Sequence, residues 1–179
     1  MEVPVPIGAP ESARRARYAA LRTSLAAIVE GEDDVIALLS TFVCELHHAF
    51  AYYDWTGFYR QVTPGVLAVG PYQGGHGCLR IPFSRGVCGA AARGPRTILL
   101  DDVDTFPDHI ACASTTRSEL VVPVLDGVGG LKAVFDVDSN TPAAFCESDR
   151  EGLEALLGWF GPICWPRTVL GVVSDVAEG

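Results

Sequence analysis

The sequence lacks an apolar run of the roughly 18 residues that a membrane-spanning helix needs, although hydrophobic residues fill 49% of its 179 positions. It reads as a water-soluble chain with no membrane partner. No secretory leader is expected either: MEVPVPIGAPES carries acid and proline where a secretory signal has a basic and then an apolar segment, so the expected compartment is the cytoplasm. Positive charge is scarce. A nucleic-acid surface needs a basic patch, and at a net charge of −9 the chain is expected to supply one only in Arg14, Arg15 and Arg17, more simply the solvated face of a helix. No nucleic-acid partner is therefore expected. There is no CxxC pair, no internal repeat and no low-complexity tract. In a reducing compartment the six cysteines then read as thiols, metal ligands or redox-active pairs rather than a disulfide framework.

What is present fits one domain with a real core. Residues 1–10 hold three prolines and read as an arm. Tyr18, Leu21, Leu25 and Ile28 make one stripe of a helix from Glu11 to Glu30, which Gly31 ends. A second helix, from about Asp33 to Phe50, opens with acids and carries Val35, Leu38, Leu39, Phe42 and Leu46 on one side. The period then changes to that of strands. Residues 54–62, a Pro64-Gly65 turn and residues 66–70 read as a hairpin, with a third strand at Cys78–Phe83. Gly86–Gly94 reads as a short helix whose N-terminal amides suit a carboxylate. A strand at 97–100, a long loop at 101–118 and strands at 119–125 and 131–137 follow. Ser148-x-x-Glu151 has the form of a capping box opening a last helix, which Pro162 and Pro166 stop. Hairpins with helices gathered at the chain ends predict an α+β domain. Its sheet of about six mainly antiparallel strands should carry the terminal helices on one side and pocket-forming loops on the other.

Chemistry concentrates between Pro71 and Asp138. Cys78, Cys88 and Cys112 each sit beside a small residue, so their sulfurs are approachable, whereas Cys44 and Cys164 lie in helical or apolar runs that suit small buried hydrophobes. Inert core cysteine is the plainest alternative, and it weakens because Cys78 and Cys112 flank turn-rich polar segments. A zinc site from His76, Cys78, His109 and Cys112 is the other alternative, but the spacings miss the usual ligand knuckles and a domain this size folds without metal. Asp136 and Asp138 alternate along a strand and so share a face, which with Glu119 reads as an exposed surface or as an acid-lined pocket for an ammonium group or a proton donor. Trp55 and Tyr59 share a face of the first strand around Gly57, as core or as the wall of a small-ligand site. His109 is read as a loop cap rather than a partner that lowers the pKa of Cys112.

The runs WTGFY (55–59), GPYQG (70–74), CLRIPFSRGVCGAAA (78–92), DDVDTFPDHIACAS (101–114), SELVVPV (118–124) and FDVDS (135–139) resemble the free methionine-(R)-sulfoxide reductases, a family built on a single GAF domain. The resemblance runs from Trp55 to about Leu157. It implies a GAF domain over residues 11–163, after the arm and before a tail at 164–179. It further implies that Cys112 is the nucleophile, Cys78 the principal resolving cysteine and Cys88 a third thiol able to share that role. Glu119, Asp136 and Asp138 match the family's acidic cluster, with Glu119 or Asp138 as proton donor and the remaining acids on the substrate ammonium. Trp55 matches the aromatic contact to the substrate methyl, with Tyr59 beside it. The implied reaction reduces free methionine-(R)-sulfoxide through a sulfenic acid and a disulfide, recycled by thioredoxin, without cofactor or metal, in a homodimer for which Arg14–Ala27 is a candidate contact helix. Phe135 stands where an aliphatic residue is usual, the Asp126–Gly130 hairpin is glycine-rich, and WFGPICWPRTVL differs from the usual C-terminus. Cys44, Cys146 and Cys164 match nothing in the pattern. A non-catalytic, ligand-binding GAF sensor is the alternative; it would keep the pocket and have no use for three thiols.

Overall fold

A computed structural model describes residues 2–110 and 112–166. The first helix, α1 (Glu11–Ile28), ends three residues before Gly31, whose φ of +78° only glycine adopts freely. Asp34 caps α2 (Val35–Ala49) by accepting from the Ala37 amide at 2.7 Å. Strands β1 (Trp55–Thr63) and β2 (Val66–Gln73) form the expected hairpin around Gly65, and β3 (Arg80–Pro82) is shorter than its predicted span. Helix α3 (Gly86–Arg93), β4 (Ile98–Leu100), β5 (Ser118–Leu125), β6 (Leu131–Ser139) and α4 (Glu147–Cys164) complete the order. The six strands form one antiparallel sheet in the order β3-β2-β1-β6-β5-β4. At the β5–β6 turn, Asp126 accepts from the amides of Val128 and Gly130 at 2.9 and 2.8 Å.

Alternation along the strands gives the sheet two apolar faces. On one, Phe58 and Phe135 meet Phe42 of α2 and Phe160 of α4, with ring centroids between 4.4 and 5.6 Å apart. Phe135, an unusual residue for the resembled family, thus belongs to the helix-side core and is remote from the opposite face. That opposite face carries Trp55, Tyr59, Leu67, Val121 and Val134 under α3. The helix side is closed tightly where α4 uses glycine: a Cβ on Gly152 would collide with the Tyr18 ring, and one on Gly161 with the Leu125 carbonyl.

Two expectations about α4 are corrected. Its N-cap is Cys146 with Asp149 at the third helical position, not Ser148 with Glu151, and the helix continues through Pro162 to Cys164 before Pro166 ends it. Asp149 does more than cap. Fully buried, it accepts from Tyr52 at 2.7 Å, from Tyr18 at 3.0 Å and from the Cys146 amide at 3.0 Å, and it pairs with buried Arg14. Arg14 also donates to the Ala144 carbonyl at 3.0 Å and lies over the Tyr52 ring. This places Arg14 in the interior rather than on the solvated face where the sequence put it. The arm is tied as well: Val5 is buried, donates to Ala49 at 2.8 Å and accepts from Ala51 at 2.9 Å. Of the predicted tail, residues 167–179 lie outside the described residues. No helix among the described residues is long and apolar enough to cross a membrane.

Removing one member of a buried ion pair strands the other without compensation. Asp149→Ala is therefore expected to lower the urea-unfolding free energy by roughly 3–5 kcal/mol, while Glu151→Ala, at the exposed Arg15 pair, should cost under about 1 kcal/mol.

Candidate active site

Register and alternation build the site. Glu119 on β5 stands opposite Asp138 on β6, and Val121 opposite Asp136, so Glu119, Asp136 and Asp138 fall on neighbouring rungs of the face opposite the terminal helices. Glu119 and Asp136 are buried. Helix α3 covers this face because Gly89 lets its backbone approach the Pro82 and Phe83 carbonyls, where any Cβ would clash. The approach turns Cys88 inward, its Sγ 4.0 Å from Glu119 Oε1. The β4–β5 loop closes the top. The Asp108 carbonyl accepts from the Gly86 amide at 3.2 Å, and the φ of +71° at residue 86 favours glycine, with the Ile110 side chain packed close against it.

Cys78, between β2 and β3, and Cys112, in the β4–β5 loop, are joined in a disulfide that spans 34 residues of sequence with a Cα separation of 5.2 Å. Beneath it lies a cavity of about 30 Å³, lined among others by Cys88, His109, Ile110, Thr116, Glu119, Asp136 and Asp138. That is room for a water molecule or two, not for an amino acid. The disulfide form is closed.

The cluster resists ionisation. Burial, then the neighbouring Asp138 carboxyl, lift Glu119 to about 7 against an opposing contact with His109. Burial and Glu119 push Asp136 well up, and burial, Asp136 and Asp54 do the same to Asp138. Cys88 is likewise driven far above a free thiol by burial and by the three carboxyls, so it is held as S–H. His109 Nε2 lies 3.7 Å from Glu119 Oε2, and that contact raises the imidazole pKa although burial opposes it. Asp136 Oδ1 is buried with no hydrogen-bond partner among the described residues.

The eight residues singled out from sequence are thus brought to one side of the sheet, with differences in detail. Trp55 and Tyr59 are stacked at 5.5 Å with Tyr72 on the far side of Trp55, but they lie behind the cavity: Trp55 Nε1 donates to the Gly75 carbonyl at 3.1 Å, and the 74–78 segment covers both rings. His109 faces Glu119 rather than serving as a loop cap, a pairing across ten residues that no spacing signals. Thr116 and Ile110 were not singled out, and their loop has no period that could have marked them. Cys78 and Cys112, two members of the alternative zinc set, are bonded to each other and offer no thiolate in this form. Cys44 is exposed on α2, against expectation, whereas Cys164 is buried.

The comparisons agree with this geometry. A family model described as GAF domain matches residues 34–161. The protein YtsP of Bacillus subtilis is 39% identical over 76% of this chain and 83% of its own length. The free methionine-R-sulfoxide reductase of Escherichia coli is 34% identical over 78% of this chain and 84% of its own. Among solved structures, the free methionine-R-sulfoxide reductase of Neisseria meningitidis in complex with its substrate superposes with a TM-score of 0.79 at 36% identity, covering 91% of this chain and 96% of that one.

A carboxyl whose pKa is raised on folding stabilises the protein below its unfolded pKa and loses that contribution as pH rises through the folded value. Glu119, raised from 4.5 to about 7, and His109, also raised, act in the same direction. The disulfide form is therefore expected to be less stable to urea at about pH 8 than at about pH 5, by roughly 2–3 kcal/mol, with a shallower slope in Glu119→Gln. A flat wild-type profile would show the cluster to be ionised in the folded protein.

Proposed function

The chain belongs to the GAF-domain family and stands among its free methionine-R-sulfoxide reductases, and from that premise we propose that it reduces free methionine-(R)-sulfoxide to methionine with its own thiols. The observation that carries the proposal is the Cys78–Cys112 disulfide at the mouth of a buried carboxyl cluster.

In the reduced protein the Cys112 thiolate attacks the sulfoxide sulfur, and Glu119, near neutrality in its pKa, gives its proton to the sulfoxide oxygen. The oxygen then passes from the substrate sulfur to Cys112 Sγ as the transient bond between the two sulfurs breaks, so methionine leaves and Cys112 is left as a sulfenic acid. The Cys78 thiol attacks that sulfur, water departs, and the disulfide forms. Two electrons from a dithiol donor such as thioredoxin restore both thiols. Asp136, whose buried Oδ1 has no hydrogen-bond partner among the described residues, is the seat for the substrate ammonium, whose positive charge favours the ionised carboxylate that burial otherwise opposes, with Asp138 beside it. Asp138 is the alternative donor. Cys88, held protonated, serves as a hydrogen-bond donor to the acids, and resolution falls to Cys78. Opening of the 74–78 segment and the β4–β5 loop after reduction exposes Trp55 to the substrate methyl and Tyr59 behind it. The substrate carboxylate then takes amides at the α3 N-terminus, where the Asp108 carbonyl now holds that of Gly86. A cytoplasmic homodimer through α1 completes the reading, and a monomeric sedimentation coefficient would remove that part of it.

NADPH consumption in a thioredoxin and thioredoxin-reductase coupled assay should follow the R epimer and not the S epimer, and should vanish in Cys112→Ser. Glu119→Gln should lower kcat by about 10²–10⁴ with KM little changed, whereas Asp136→Asn should act mainly on KM. Turnover of neither epimer by folded, reduced protein would leave a ligand-binding module in place of the enzyme.

A further inference from the structure

Positive charge is distributed in an unexpected way. From residue 55 to residue 100 the chain contains no aspartate or glutamate, yet it holds Arg60, Arg80, Arg85, Arg93, Arg96 and His76, within a protein of net charge −9. The expectation that Arg14, Arg15 and Arg17 are its only basic cluster is therefore wrong. The middle of that stretch, from Cys78 through β3 to α3, lies at the end of the sheet where β3 is the edge strand. Arg80 on β3 and Arg85 and Arg93 at the two ends of α3 are exposed there, and Arg93 reaches back to the Phe83 carbonyl at 2.7 Å, next to the β3–α3 link, whereas Arg96 lies before β4 at the opposite edge strand. Leu79, adjacent to the half-buried Cys78, is 76% exposed; among the described residues only Val3 is a more exposed large hydrophobic. The approach is clear on the glycine side, where a Cβ on Gly75 would meet nothing.

An apolar knob and a positive rim beside an accessible disulfide suit a protein partner better than a small thiol. We propose that this face docks a protein dithiol reductant whose surface around its reactive thiol is acidic, with Leu79 as the apolar anchor and Arg80 and Arg93 as its charge partners. The proposal rests on the redox reading of the Cys78–Cys112 pair. The reductant's thiolate attacks Cys78 Sγ, the Cys78–Cys112 bond breaks, and its electron pair leaves on Cys112, which takes a proton. The reductant's second thiol then attacks its own partner sulfur in the mixed disulfide and releases Cys78 as a thiol, so both electrons and both protons come from the dithiol. Opposite charge raises the encounter rate and loses that effect as salt screens it.

The test compares reduced thioredoxin with dithiothreitol as reductant for the full-length protein, using Leu79→Ser and Arg80→Glu/Arg93→Glu. The charge-reversed variant should lower kcat/KM for thioredoxin about tenfold and flatten its decline between about 0.02 and 0.3 M NaCl. Leu79→Ser should lower it about fivefold through KM. Turnover driven by dithiothreitol and KM for the sulfoxide should stay within about twofold of wild type in both variants. Equal losses with both reductants would assign these residues to the substrate side and overturn the docking surface. Unchanged thioredoxin kinetics would also overturn it, by placing the reductant elsewhere. Wild-type turnover with dithiothreitol but none with thioredoxin would remove the protein partner alone. Turnover with neither would remove this proposal together with the reading it rests on.

Discussion

A carboxyl group withdrawn from water resists ionising, and three on neighbouring rungs of one sheet face resist more strongly. The rest of the structure is arranged so that this unfavourable group of Glu119, Asp136 and Asp138 can exist. Two elements hold it out of water, α3 through the close approach at Gly89 and the β4–β5 loop through Asp108 and Ile110. The stability that the cluster costs is supplied on the other face, where α1, α2 and α4 bury the Phe42, Phe58, Phe135 and Phe160 core. There a deeply buried charge pair, Arg14 with Asp149, has its remaining hydrogen-bonding capacity met by two tyrosines and the backbone.

This division explains why the chemistry sits where it does. The helix-side core is rigid and dry, and its glycines at 152 and 161 leave no slack. The opposite face is closed by segments that carry the two bonded cysteines, so the disulfide pins the 74–78 segment and the β4–β5 loop over a cavity of about 30 Å³. Tyr59 and Trp55 form the floor under those segments rather than part of the cavity lining. In the proposed reaction, binding and redox state are thereby coupled through one bond. The acids need no such movement, since their strands are fixed by pairing along nearly their whole length.

Much of this was legible beforehand. The helices, hairpins and strand order by kind follow from apolar period and from turns such as Pro64-Gly65 and Gly127–Gly130, because local steric rules determine them. Alternation alone placed Asp136 and Asp138 on one face. What escaped were contacts between segments distant in sequence. His109 with Glu119 and Cys88 with the acids depend on how loop and helix settle on the sheet, and neither has a periodic signature. Ser148-x-x-Glu151 was a plausible box in the wrong register, since Cys146 and Asp149 satisfy the same geometry two residues earlier. Arg14 reads as solvent-facing until Asp149, 135 residues away, is seen to meet it. The pairing of Cys78 with Cys112 was open to resemblance and not to spacing.

The central claim is that Cys112 takes the sulfoxide oxygen and passes it out as water through Cys78. The most direct test mixes fully reduced protein anaerobically with one equivalent of free methionine-(R)-sulfoxide, quenches with acid and alkylating reagent, and follows both methionine release and peptide mass. The account predicts one methionine per chain and a Cys78–Cys112 linked peptide, with Cys88 alkylated as a free thiol, and in Cys78→Ser one methionine with a trapped oxygen on Cys112. Release of methionine with Cys88 in the new disulfide, or no release at all, would contradict it.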